Sequence, residues 1–483
     1  MDIQKLLIGK TTKLEISFTS SVFIAGFIGV VVLPFYLYLF GAGVFWEFLG
    51  VAVSLILVWN LESYKLMRYA RKNKNILTLP GFFEHRFKSL SYITRSLAAV
   101  ESSILSVVIA SFLIKELAFV LNIITGVKQN ALIAIIVLVV CSGIGTFGMN
   151  FISKVSIIKA ILLAVGVLVV AFYMYFNVGG VGLVKNLMAT DVMGSVSEYL
   201  NILFHDGEIL KVPDIVSLAS IGLLASGMPF MLGLFFFEKD ARSISHGKMV
   251  MVIFLLVLFV SAAFFGAVSR GFLYPQDITN SLSGYIYMVF WGIRQNGDGG
   301  ILVSVIFLVV VIVGFMTAIE GAVHSVCSAI YEDIIVEGRL FVAKKRNQYR
   351  DIIISLCISG IAVFLLATYI NSSDISVTIV FIAALGCSFS PTLVMSLFWK
   401  RMNAAGCVAG LISGMVCVPF FKYADVFMVM GDKLTLCDVM GVDSVLPSML
   451  CTYLIIILVS IFTPKPKEEV VNEFNDVRNR ITE

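Results

Sequence analysis

Three polar side chains interrupt one long apolar stretch and set the first chemical question. Residues 299–330 carry Thr317, Glu320 and His324 among aliphatic neighbours. Thr317 and His324 are seven residues apart, so a helix places them on one face, with Glu320 about 60° aside. A lone carboxylate in hydrocarbon costs a few kcal/mol or more, and such groups concentrate on transport pathways. The stripe reads as a proton or cation relay, with ordinary helix–helix hydrogen bonds as the plain alternative. A metal centre is not expected, because EGAVH (320–324) offers two ligands and no others stand nearby. Glu101 and the pair Lys115–Glu116 fall in another apolar run, 91–124. Adjacent residues on a helix do not face each other, so 115 and 116 are no internal ion pair, and Glu101 reads as structural. Glu47 beside Trp46 reads as a wetted carboxylate at an interface, and His85, His205 and His246 receive no role. The eight cysteines (141, 327, 357, 387, 407, 417, 437, 451) form no CxxC pair and read as small apolar fillers.

The elements that must hold these groups are membrane helices. Hydrophobic residues make up 59% of the 483 and charged residues 14%, and about 25% charge is usual in soluble domains. So apolar a chain excludes a soluble enzyme, a disordered segment and a secreted disulfide scaffold. Runs long enough to span a bilayer lie near 17–41, 43–60, 91–124, 130–147, 151–177, 214–237, 248–272, 299–330, 350–370, 375–398, 405–425 and 443–463. Those runs predict twelve transmembrane helices. With both termini cytoplasmic, the inner segments hold 27 of the 35 Lys and Arg residues and the outer segments 7, with Lys115 inside a span. That excess fixes the orientation by the positive-inside rule. The start, Met1 to Glu15, is too polar for a signal peptide. A P-loop is absent, so primary ATP-driven transport is not expected.

Small-solute carriers bind near the midplane on helices interrupted by Gly or Pro. Two runs fit: SFTSSVFIAGFIGVVVLP (17–34) and SLASIGLLASGMPFMLG (217–233). Each opens a block of five spans, so 17–178 and 214–398 are expected to be two inverted repeats. Around them stand a cytoplasmic N-tail (1–16), an extracellular loop (179–213), two appended helices (399–463) and a cytoplasmic C-tail (464–483), the last a short helix or disordered.

Four stretches resemble a known family. ILTLPGFFEHRF (76–87) is similar to the loop after the second core helix of the sodium:solute symporters. SGMPFMLGLFFFEKDARSI (226–244) resembles the sixth core helix of the sodium/proline symporter group, and CSAIYEDII (327–335) the end of the eighth. LGCSFSPTLVMSLFWKRMNAAGCVAGLISG (385–414) runs from core helix ten into the next. The resemblance implies an all-α polytopic membrane protein of the leucine-transporter fold, and cation-coupled uptake of a small organic solute by alternating access. Members usually carry one more helix before the first core helix; here the core starts at once, which implies a cytoplasmic N-terminus.

The family's Na⁺ lies between core helices one and eight and is held by oxygens, as a hard cation requires. The resemblance places carbonyl donors at Ser21, Ile24 and Gly314, and the hydroxyl pair at Thr317 and Ala318, where the second hydroxyl is missing. On core helix five the family's acidic position falls at Lys154. The acidic residue of proline symporters on helix one has no counterpart in SSVFIAG (20–26). Lys154 is therefore expected to put its ammonium at the cation site, or else to snorkel like Lys159. The solute is implied to lie by Gly26, Ala225, Ser226, Gly227 and Pro229. Proline symporters present aromatic, His and Arg side chains on helix six where this chain has Ile221, Ala225, Phe230 and Leu234, which argues against proline. The expectation is a multi-pass carrier of the cytoplasmic membrane, with a small solute and the bilayer as its partners, Na⁺ as the nominal ion and no organic cofactor. It is neither an enzyme nor a nucleic-acid binder. The alternatives are a proton-coupled or sodium-independent carrier using Lys154, Glu320 and His324, and a transport-inactive solute sensor.

Overall fold

The computed structural model describes residues 19, 22–73, 76–88, 90–189, 196–205, 207–237, 241–276, 281–337, 347–370, 375–429 and 432–479. Ser21 lies outside the described residues, and of Ile24 only the backbone is described. Among the described residues, ten helices are long and apolar enough to cross a membrane, and a bent pair, Val212–Gly227 with Pro229–Phe236, makes an eleventh. Two small hairpins, Phe204–His205 with Glu208–Ile209 and Asp425–Val429 with Asp432–Thr435, qualify the all-α expectation.

The first run is not a plain α-helix. It passes through π-helical turns at Val22–Gly26 and Ile28–Val32 into α1 (Leu33–Phe40). Gly41, at φ 76°, ends α1, and a 3₁₀ turn over Gly41–Val44 leads into α2 (Phe45–Leu57). Both sides of that turn touch the 196–205 loop, Tyr199 Oη donating to Leu37 O (3.0 Å) and Trp46 Nε1 to Ile202 O (2.8 Å). The chain then continues through α3 (Ser63–Lys72) to the far face, where Lys72 meets Asp476. Residues 28–72 count as one apolar helix of 45 residues, whereas two spans were expected there.

α4 (Leu79–Phe87) lies on the same basic face and precedes α5 (Ser91–Thr125). α6 (Gln129–Val178) is hydrogen-bonded as a helix over 50 residues. At 1.5 Å per residue that is about 75 Å, far beyond a bilayer core of about 30 Å. Its apolar stretches, Gln129–Thr146 and Ile152–Val178, are separate spans. α7 (Val212–Gly222) and the 3₁₀ turn Leu223–Gly227 form the first arm of the bent pair. α8 (Ala241–Leu273), α9 (Gly297–Ser328), α10 (Gln348–Tyr369), α11 (Ile375–Phe398), α12 (Ala404–Tyr423) and α13 (Val445–Phe462) follow. α14 (Glu468–Asn479) is helical, as one of the two C-tail expectations had it.

α9 packs between α5 and α6 and against the π-turn Val22–Gly26, while α11 packs on the 3₁₀ turn 223–227. Leu138, Ile158, Ile161, Val165 and Phe176 of α6 face outward. So wide an apolar exterior suits lipid rather than water.

Candidate functional site

Four points pair α9 with the second half of α6. Tyr173 Oη donates to Asn296 O, Val310 stands 2.4 Å from where a Gly166 Cβ would be, Leu163 and Thr317 both border Gly26, and Lys159 meets Glu320. The two helices therefore run antiparallel, and each step of three or four residues moves one turn towards the basic face.

At the middle level a Cβ on Gly26 would lie 2.9 Å from Thr317 Oγ1 and 3.1 Å from Leu163 Cδ1. Only a glycine lets the first run come so close to α9. Gly26 O lies 3.7 Å from the Cβ that Gly314 lacks. Thr317 Oγ1 donates to Gly314 O at 2.7 Å, and the rings of Phe27 and Phe315 seal one side, 5.0 Å apart. Gly26, Gly314 and Thr317 are thus neighbours. Ala318 adds no hydroxyl. Gly26, assigned to the solute from sequence, borders Thr317 and Leu163.

One turn towards the basic face, Lys159 Nζ and Glu320 Oε2 are 2.5 Å apart, with side chains 13% and 16% exposed. The α6 ammonium that reaches α9 is therefore Lys159, while Lys154 is exposed. A further turn on, His324 Nε2 is buried without a hydrogen-bond partner among the described residues. The polar stripe on α9 thus meets three different neighbours: Gly26, Lys159 and a cavity.

That cavity, small at about 50 Å³, opens below the break in the bent pair and is lined by Thr78, Ser102, Pro229, His324, Ser328 and Asp333 among others. Met228 is extended (φ −79°, ψ 109°), as a residue before proline prefers, and the two arms meet at 49°. Above the break, Ser226 Oγ and Ser390 Oγ share a short hydrogen bond. A Cβ on Gly227 would lie 2.7 Å from Gly386 O. Of the residues assigned to the solute, Ser226 and Gly227 pack against α11, Ala225 is buried and Pro229 alone lines the cavity. Phe23 and Phe230 meet edge to face, ring centroids 6.2 Å apart, and both border Gly321; Phe230 also lines the cavity.

The cavity mouth carries a network that sequence reasoning did not assign. Thr78 caps α4, its Oγ1 accepting from Gly81 N and donating to Asp333 Oδ1 at 2.8 Å. Arg95 donates from Nε to Asp333 Oδ1 (2.8 Å) and from Nη1 to Glu84 Oε2 (2.6 Å). Thr78, Glu84 and Asp333 sit within two of the motifs quoted above and Arg95 outside them, and the motifs say nothing about their pairing.

The chain belongs to the sodium:solute symporter family, whose profile matches residues 15–414. It is 22% identical over 440 residues to the high-affinity proline transporter of Bacillus subtilis (strain 168), covering 91% of this chain and 88% of that protein. It is 25% identical over 463 residues to the sodium/proline symporter of Haemophilus influenzae, covering 92% and 86%. Among solved structures it resembles a Na⁺-coupled sialic acid symporter in a substrate-bound outward-open state (TM-score 0.75, 14% identity, 96% and 93% covered). It also resembles a nucleobase-cation-symport-1 family transporter in a closed conformation (TM-score 0.55, 12% identity, 98% of both chains). The fold is thus of the leucine-transporter type, and the protein is a multi-pass membrane transporter of the symport class, not an enzyme.

Proposed function

We propose that this symporter carries a small amino-acid-like or organic-acid solute and that Lys159 and Glu320 replace much of its Na⁺ site. The observation behind this is the largely buried Lys159–Glu320 pair one turn from Thr317. A fixed ammonium there repels Na⁺, and a proton held between the two groups is a substitute cation. Gly26 and Thr317 belong to the cation level. The solute passes from the broken 223–229 segment, past Phe23 and Phe230, into the cavity beside His324.

On this reading residues 28–72 form two spans turning at Gly41, which makes twelve in all. The basic face is cytoplasmic, and both termini lie on it. α14 resting against α3 and α4 supports this for the C-terminus.

Thermal unfolding of the purified protein in NaCl, KCl and choline chloride at equal ionic strength tests the ion. A ligand bound only by the folded state stabilises it by about 2.7 kcal/mol at a hundred times its Kd. The expected result is no Na⁺-specific shift in the wild type and a Na⁺-specific shift in Lys159→Ala, where Glu320 is left unpaired beside the oxygens. A Na⁺-specific shift in the wild type that vanishes in Thr317→Ala would overturn the replacement and restore an ordinary sodium site.

A further inference from the structure

The helix Gly180–Ala189 falls in the stretch 179–213 expected to be an extracellular loop, and its two faces meet different surroundings. Leu183 and Asn186 press on the end of α8. A Cβ on Gly271 would lie 2.4 Å from Leu183 Cδ1, and Asn186 Nδ2 donates to Gly271 O at 2.8 Å. Leu187 is buried, in one cluster with Leu33, Leu37 and Ala262. The opposite face carries Val181, Val184, Lys185 and Met188, at i, i+3, i+4 and i+7, a single stripe on a helix. Val181 is 87% exposed, Val184 46% and Met188 65%, and Lys185 is exposed with them. A helix this short with apolar side chains on both faces has no reason to lie in water.

The chain places this helix at the edge of the bilayer away from the basic face. α6 is exposed to lipid at Ile158, Ile161, Val165, Phe172 and Phe176, and its aromatic end is the kind of belt that marks a membrane interface. Val178, the last residue of α6, lies 24 residues beyond the exposed Lys154, which is about 36 Å of helix. That is the roughly 30 Å hydrocarbon core plus the reach of a snorkelling lysine. Gly179, at φ 72°, turns the chain there, so the stripe on Gly180–Ala189 starts where the lipid-facing side of α6 ends. A second copy of the chain is a poorer cover. A two-fold contact through this helix would bring two Lys185 ammonium groups together, and GVGLVKNLMA holds no carboxylate to meet them.

We propose that Gly180–Ala189 is an interfacial helix seated in the leaflet opposite the basic face, with Val181, Val184 and Met188 among acyl chains and the Lys185 ammonium at a phospholipid phosphate. Its inner face passes the contact on. Gly271, which receives Leu183 and Asn186, follows Arg270, whose Nη1 donates to Tyr38 O at 3.0 Å and whose guanidinium stacks 4.6 Å from the Tyr199 ring. The leaflet is therefore linked through one helix to the end of α1. The seat is independent of which solute or ion is carried.

The test is photolabelling of the full chain in vesicles of phosphatidylcholine and phosphatidylglycerol, with an aryl diazirine dissolved in the bilayer and each labelled residue read by peptide mass spectrometry. Val181, Val184 and Met188 are expected to be labelled as heavily as Ile161 and Val165 of α6, and buried Leu187 at least about fivefold less, as its burial dictates. Lys185→Glu is expected to lower the labelling of the stripe at least about twofold by setting a carboxylate against the phosphates, with α6 as the internal control. Lys185→Arg is expected to leave it unchanged. A stripe labelled only by a membrane-impermeant diazirine in the water would overturn the seat. So would bilayer labelling that falls as the protein-to-lipid ratio is raised, because a second copy would then cover the stripe. Equal labelling in wild type and Lys185→Glu would overturn the phosphate contact.

Discussion

The first and sixth runs carry the same kinds of residue, yet one winds on and the other breaks. Both mix serines, glycines and a proline. In the first, Pro34 sits in the opening turn of α1, where a missing N–H costs little. Leu33 before it stays helical at φ −60°, ψ −49°, against the usual preference. Gly266 of α8 comes close enough that a Cβ there would be 2.9 Å from Pro34 Cα, so the proline is held in a fitted seat. The described part of this run winds through wider π turns at Val22–Gly26 and Ile28–Val32, a form frequent at functional sites. In the sixth run Met228 does extend, and the arms diverge by 49°. Composition therefore marks where a helix is able to break, and the tertiary neighbour decides whether it does.

The seams of the two runs also differ in what they press against. The sixth run meets backbone: a Cβ on Gly222 would fall 1.9 Å from Gly50 C and 2.0 Å from Val51 N. The first meets side chains, Thr317 Oγ1 and Leu163 Cδ1. Backbone in a packed helix pair cannot yield without moving the whole helix, whereas side chains rotate. The sharpest way to break this contrast is Gly222→Ala. It should cost about 3 kcal/mol or more, at or beyond the upper end for overpacking, seen as a large fall in thermal midpoint in detergent or as loss of folded protein. A fall no larger than that for Gly26→Ala would show that α2 and α7 are not locked as described.

Gly26→Ala comes next. Here the added methyl displaces two movable groups, so the expected cost is about 1 kcal/mol. Its more informative effect is chemical, because the methyl pushes on the hydroxyl that bonds Gly314 O. A cation-specific thermal shift, if Lys159→Ala reveals one, should weaken when Gly26→Ala is added. If the two substitutions act independently, Gly26 is not at the cation level.

How much of this was legible beforehand follows from range. Spans and the family were readable because apolar runs and motifs are local. The break at Met228–Pro229 was readable from SGMP, since proline acts on its neighbour. The intact first run was not, because its proline is held by Gly266, more than two hundred residues away. That Lys159 meets Glu320 while Lys154 is exposed was not legible for a similar reason. Both lie on one continuous helix, and only the antiparallel fit of α6 on α9 shows which of them reaches Glu320. The Thr78–Asp333–Arg95 network joins residues 238 to 255 apart, and no spacing rule reaches that far. The hairpin at Asp425–Val429 and Asp432–Thr435 lies at the end of a run read as helix.

The smallest expected effect tests the contrast from its empty side. Gly233 lies on the lower arm of the bent pair and on the cavity wall, and a Cβ there would meet nothing within 4 Å. Its backbone is helical, φ −57° and ψ −27°, so alanine fits without strain. Replacing glycine by alanine at a compatible helical site stabilises by about 0.4–1 kcal/mol, mainly by restricting the unfolded chain. Gly233→Ala should therefore leave the thermal midpoint unchanged or slightly raised, unlike its neighbours at 222 and 227. A fall of about 1 kcal/mol or more would mean that this arm presses on another element in a conformation other than the one described. The absence of a side chain at Gly233 would then serve the movement of the arm rather than the space of the cavity.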